Sequence, residues 1–100
     1  MTNSVAIVMG SKSDMALAEA TKEVLDGYGI GSVIKVLSAH RTPEALKEFI
    51  ETTINDGTKV FVGIAGLAAH LSGNIAAHTT LPVIGIPGDG GPLNLSLIHI

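Results

Sequence analysis

Apolar residues arrive along this chain in short bursts, separated by longer stretches in which they recur every three or four positions. Val5-Ala6-Ile7-Val8-Met9 is an unbroken apolar run closed by Gly10, the pattern of a strand buried on both faces. Residues 15–28 then place Ala16, Leu17, Ala20, Val24 and Leu25 at helical spacing. Ser13 or Asp14 is available as N-cap, and Gly27 and Gly29 supply the stop. A second strand follows over 33–37. Thr42-Pro43-Glu44 opens a second helix, with Thr42 as cap, Pro43 preset for the first turn and Glu44 favoured by the helix dipole. That helix turns Leu46, Phe49, Ile50 and Ile54 inward and ends at Asn55-Asp56-Gly57. Residues 59–65 predict a third strand, 68–78 a third helix and 82–86 a fourth strand before a glycine-dense loop over 87–94.

The order β-α-β-α-β-α-β predicts an α/β fold. Parallel neighbours need crossover connections, so a parallel sheet flanked by helices, a flavodoxin-like three-layer sandwich, is the expected architecture. One hundred residues make one domain at most. Composition adds a partner to the picture. Hydrophobic residues reach 46% and charged residues only 15%, where roughly 25% is usual. So small a domain has much surface to cover, and the shortage of charge points to burial against other subunits or further chain. A membrane span is not the explanation, because the most apolar stretch, 60–71, is short and broken by Gly63, Gly66 and His70. No secretory signal opens the chain. Six Lys plus Arg spread over a chain of net charge −3 offer no basic patch for nucleic acid. Without cysteine there is neither a disulfide framework nor a thiolate metal site. A cytoplasmic, soluble protein is the expectation.

Polar and unusual residues collect where three of the predicted strands end. Gly10-Ser11-Lys12-Ser13-Asp14 follows the first strand, and Ser38-Ala39-His40-Arg41-Thr42-Pro43 the second. Ala65-Gly66-Leu67-Ala68-Ala69-His70-Leu71-Ser72-Gly73 follows the third. Ligands of open α/β sheets bind at those carboxyl ends, so one composite site is expected there. Ser11, Ser13 and the start of a helix suit an anion such as phosphate, while Asp14 can accept hydrogen bonds from sugar hydroxyls; simple helix capping by Ser13 and Asp14 is the competing reading. Neither a Walker loop nor a dinucleotide fingerprint is present. His40 beside Arg41 suits proton transfer next to a group that grips phosphate or carboxylate, and its place after a strand favours chemistry over a structural loop histidine. His70 fits a site and a satisfied core position equally well. His78 reads as a residue compensating a helix C-terminus, and His99 takes no role. No metal-ligand spacing links the histidines.

Together, and in this order and spacing, the three motifs resemble the PurE family, over residues 5–94. Ser-Ala-His-Arg with Ala-Ala-His-Leu is similar to its mutase branch; the sister carboxylase branch has Lys after the histidine and Arg-Ser-Asn in the third motif. The resemblance implies a reaction without cofactor or metal on 5-(carboxyamino)imidazole ribonucleotide, moving its carboxylate from the exocyclic nitrogen to the adjacent ring carbon. It implies His40 as general acid and base, Ser11, Ser13 and Arg41 on the nucleotide phosphate, and Asp14 on ribose. Ser38 belongs to the same substrate site, and Gly66, Ala68 and His70 line the ring and CO2 pocket. A homo-octamer is implied as well. Leu67 and Ser72 stand where the family has glycine and proline, and Gly88-Asp89-Gly90-Gly91 departs from its commoner loop. Family members run on beyond this length, whereas Leu95-Ser96-Leu97-Ile98-His99-Ile100 leaves the pattern. The expectation is a domain over 1–94, incomplete at its C-terminus, followed by an atypical tail over 95–100 of foreign coding origin. The alternatives are a carboxylase using free CO2 and a flavodoxin-like nucleotide-binding fragment without chemistry.

Overall fold

A computed structural model describes residues 3–37, 43–65 and 70–87. Four strands form one parallel sheet in the order β2-β1-β3-β4: β1 Val5–Met9, β2 Ser32–Val36, β3 Val60–Ala65 and β4 Val83–Pro87. The helices are α1 Met15–Gly27, α2 Pro43–Asn55 and α3 His70–Ala76, with a single 3-10 turn, Lys12–Asp14, leading into α1. The step from β1 to β2 runs one way along the sheet, and the steps to β3 and β4 run the other. Right-handed crossovers therefore place α1 on one face and α2 and α3 on the opposite face. This is the three-layer, flavodoxin-like arrangement expected from the sequence.

β1 is the centre of both cores. Ala6 and Val8 point into a cluster with Leu37, Leu46, Ile50, Phe61, Leu71 and Ile75; Val5, Ile7 and Met9 point into one with Ala18, Val62 and Ile64. All five β1 residues are buried, which explains why this run lacks the alternation of a half-exposed strand. Ile7 alone, with no exposed surface, contributes about 1.5–3 kcal/mol of hydrophobic stabilisation.

The helix faces differ in part from expectation. In α1, Ala18 is buried and Met15, Leu17 and Leu25 pack beside it, while Ala16 and Ala20 are exposed and Val24 is 61% exposed. The inward line runs through positions 15, 18, 22 and 25. Lys22 continues it with its aliphatic stem and brings its ammonium to the Ser32 carbonyl at 3.4 Å. In α2, Leu46, Ile50 and Thr53 form the buried line, and Ile54, expected inward, is 36% exposed. Thr53 takes the inward place because its hydroxyl donates to the helix carbonyls of Phe49 and Ile50, at 2.8 and 3.0 Å. The α2 stop is as expected: Gly57, at φ 107°, carries the left-handed turn, with Thr58 N–H donating to Thr53 O at 2.9 Å. α3 ends at Ala76, two residues short of the expected limit, and Gly73 lies inside it.

Candidate active site

The sheet order fixes where a site can form. The direction in which successive strands are added reverses between β1 and β3, and such a switch opens a crevice beyond the carboxyl ends of the two parallel strands. Met9, the last residue of β1, pairs with Val36 on one side and Ile64 on the other. Leu37 N–H donates to Met9 O at 2.8 Å, and Gly10 N–H donates to Ile64 O at 3.2 Å. These two bonds draw the ends of β2, β1 and β3 level. The segments 38–42 and 66–69 start immediately after Leu37 and Ala65, so the motif-bearing connections both leave from the edge where Gly10 turns.

Ser11, Ser13 and Asp14 stand in that turn. Ser11 is extended (φ −153°, ψ 150°) and its hydroxyl accepts from Ser13 N–H at 3.2 Å, with the two hydroxyl oxygens 3.0 Å apart. Asp14 N–H donates to Ser11 O at 3.1 Å, and Met15 N–H donates to Lys12 O. Asp14 holds the N-cap position of α1, as one of the two expected residues, but without a side-chain capping bond; the side-chain cap is made by Ser11 and serves the 3-10 turn. The Ser-x-Ser spacing carried that signal, since a serine hydroxyl readily accepts from the amide two residues on. One physical consequence bears on anions. The amides of residues 13, 14 and 15 are already used within the turn, so an incoming phosphate meets the exposed Ser11 and Ser13 hydroxyls first.

Asp14 is the unusual group. It sits at the N-terminus of α1 with 9% of its surface exposed, and its carboxylate makes no capping hydrogen bond. Burial pushes its pKa up from the ordinary carboxylate value, because the charged form loses water it does not replace. A carboxylate held this way beside two exposed hydroxyls is poised to accept hydrogen bonds from a polyhydroxylic ligand, which would return the lost solvation.

Of the remaining sequence-derived candidates, His70 is the first residue of α3, at the carboxyl end of β3. Ser38, His40, Arg41, Gly66 and Ala68 lie outside the described residues. His78 is exposed in the turn after α3. Two shallow hollows lie at the opposite edge of the sheet: one of about 590 Å³ around Ile54, Ala76, His78 and Leu81, and one of about 480 Å³ around Asn3, Phe49, Thr53, Asp56 and Thr58. Both are formed where helices end and strands begin, on the side away from the Gly10 turn. Thr58 there has a structural task, donating to Asn3 O at 3.0 Å. No helix among the described residues is long and apolar enough to cross a membrane.

Comparison with known proteins agrees with this layout. The chain is 52% identical over 89 residues to a probable N5-carboxyaminoimidazole ribonucleotide mutase of Methanobrevibacter smithii, covering 89% of this chain and 26% of that one. It is 48% identical over 86 residues to the N5-carboxyaminoimidazole ribonucleotide mutase of Haemophilus influenzae, covering 86% and 52%. The crystal structure of Treponema denticola PurE superposes with a TM-score of 0.84 at 31% identity, covering 95% of this chain and 61% of that one. The chain thus spans about half the length of the Haemophilus relative and less of the Methanobrevibacter one. A profile of AIR carboxylases matches residues 4–97, nearly the whole sequence, and the chain belongs to the AIR carboxylase family.

Proposed function

We propose that this chain carries the nucleotide-binding and proton-transfer part of a 5-(carboxyamino)imidazole ribonucleotide mutase of de novo purine biosynthesis. The observation that carries the reading is the level alignment of three strand ends at the β1/β3 switch point, with Ser11, Ser13 and the buried Asp14 in the first of the three turns. Phosphate meets Ser11, Ser13 and Arg41, and ribose hydroxyls donate to Asp14. Ser38, Gly66, Ala68 and His70 complete the pocket around the ring and CO2. In the reaction the carbamate C–N bond breaks, releasing CO2 while His40 protonates the departing nitrogen. The adjacent ring carbon of the aminoimidazole ribonucleotide then attacks the trapped CO2, and His40 takes the proton that this carbon sheds. One imidazole serves both steps because near neutral pH it gives and accepts protons with equal ease. The Ser-Ala-His-Arg motif and relatives named as mutases favour this over a carboxylase using free CO2. A cytoplasmic homo-octamer, with residues 1–94 as one α/β unit, completes the reading and accounts for the low share of charge.

The test has two readouts. Calorimetry should show aminoimidazole ribonucleotide binding to the purified chain, weakened in Ser11→Ala and kept in His40→Asn. In CO2-depleted buffer, a version extended to the relatives' full length should convert the carboxyamino ribonucleotide to its carbon-carboxylated isomer, and His40→Asn should abolish this. Turnover that requires added CO2 would instead establish the carboxylase. Turnover retained in His40→Asn would remove His40 from its role.

A further inference from the structure

We infer that Lys12 is a charge-compensating group for the phosphate end of the site, acting on the bound anion through space rather than by direct contact. This rests on the nucleotide-binding reading of the Gly10 turn and adds to it a residue and a salt dependence.

The turn offers an anion little positive charge from its backbone. The amides of residues 13, 14 and 15 are taken up by Ser11 Oγ, Ser11 O and Lys12 O, so what remains for phosphate is the pair of neutral hydroxyls on Ser11 and Ser13. Asp14 in the same turn and Glu44 in the first turn of α2 carry the wrong sign. The whole chain has a net charge of −3, and a phosphate monoester brings about two further negative charges at pH 7. Binding at this edge therefore calls for a cation close by.

Lys12 is the described lysine in that position. Lys22 is held on α1 by Asp26, at 3.5 Å, and by the Ser32 carbonyl. Lys35 lies within β2, Lys47 within α2, and Lys59 precedes β3 at the opposite edge of the sheet. Lys12 is exposed and has no ion pair or hydrogen bond from its side chain among the described residues, so its charge is not neutralised locally. Successive side chains of a 3-10 turn diverge by about 120°, so Lys12 flanks the direction taken by Ser13 and Asp14 instead of sharing it. An ammonium placed this way acts over several ångströms of solvent. Its influence then depends on ionic strength, as that of a charge on the rim of an interface does.

Calorimetric titration of the purified chain with aminoimidazole ribonucleotide, at about 20 mM and about 300 mM salt, tests the assignment; over that range the Debye length falls from roughly 20 Å to roughly 6 Å. Lys12→Gln should raise Kd roughly threefold to fivefold at the lower salt and less than about twofold at the higher. Lys12→Arg keeps the charge and should match the parent. Lys59→Gln makes the same change in net charge but at the other end of a six-residue strand, about 20 Å away, and should also match the parent. Circular dichroism of each variant checks that the fold is kept. Equal affinities of Lys12→Gln and the parent at low salt would overturn the proposal, as would an equal loss in Lys59→Gln, which would trace the effect to net charge alone. A loss in Lys12→Gln that does not shrink with salt would overturn it too and make Lys12 a direct contact. A parent chain that binds no ribonucleotide at either salt would instead remove the proposed function, and this role with it.

Discussion

Asp14 offers a perturbation whose effects on stability and on binding have opposite signs. The carboxylate is 9% exposed and makes no capping hydrogen bond, and burial raises its pKa. The native state therefore holds the Asp14 proton more tightly than the unfolded chain does. Below the ordinary carboxylate pKa both states are protonated and Asp14 costs nothing in charge. As pH rises through the ordinary value and on through the raised native one, stability is lost, and the full cost is present at pH 7. Asp14→Asn keeps the shape and removes the charge. A fully buried polar group without a partner costs about 1–3 kcal/mol; the Asp14 carboxylate is only partly desolvated, so a gain of roughly 0.5 kcal/mol at pH 7 is expected. For a domain this size that is about 2–4 °C in Tm. Urea denaturation of both proteins at pH 7 and near pH 3 should show the gain at neutral pH and its disappearance in acid. Binding should move the other way: hydrogen bonds to a charged acceptor exceed neutral ones by about 1 kcal/mol, so aminoimidazole ribonucleotide affinity should fall roughly fivefold to tenfold. A destabilised Asp14→Asn at pH 7, or a difference that does not change with pH, would refute the reasoning.

Ser32 Oγ is buried with no hydrogen-bond partner, so Ser32→Ala should raise the urea midpoint, by about 1 kcal/mol in stability. Gly73 lies inside α3 with open space where a Cβ would go, and Gly73→Ala should stabilise by about 0.5–1 kcal/mol in thermal unfolding. Gly10 also has open space around its absent Cβ and no left-handed backbone. Gly10→Ala should therefore unfold at the same Tm as the parent, while any loss of nucleotide binding, measured by calorimetry, reports a ligand approaching the backbone there. Ser11→Ala removes the cap of the 3-10 turn and should cost about 0.5–2 kcal/mol in urea denaturation.

Strands were legible where burial is complete and helices where the pattern is long. β1 matches its expected limits because an apolar run bounded by Gly10 leaves no other reading. β2, β3 and β4 are displaced by one residue at one or both ends, since parallel pairing with β1 and β3, rather than side-chain type, decides which residue enters the ladder. Helix faces were less legible. Val24 and Ile54 are apolar at helical spacing, yet Thr53 occupies an inward line with its hydroxyl on helix carbonyls, and Lys22 lays its stem along the other while its side chain stays 41% exposed. At the candidate site, the location of Ser11, Ser13 and Asp14 at the end of β1 followed from the βαβ pattern alone. The division of labour among them did not, because capping by Ser11 and burial of Asp14 depend on a 3-10 turn that hydrophobic periodicity does not encode.

The same central strand accounts for both the precision of the site and its cost. Gly10 is hydrogen-bonded to β3 while Met9 accepts from Leu37, so the turn that carries Ser11 is tied on both sides to the most buried part of the molecule. A loop mounted on an edge strand would lack one of these ties. Rigid mounting has a consequence for Asp14, which is held in the turn with 9% of its surface exposed. Its carboxylate remains partly desolvated until something donates to it, and a ligand that does so regains free energy already spent in folding. Mutating the β1 core rather than the site should test this link. Ile7→Val removes one methyl at the strand centre and should cost about 0.5–1.5 kcal/mol in stability. If the turn is held by its ties and not by local rigidity, the same substitution should lower nucleotide affinity less than twofold, as calorimetry would show; a larger loss would mean that the site's geometry depends on packing deep in the sheet.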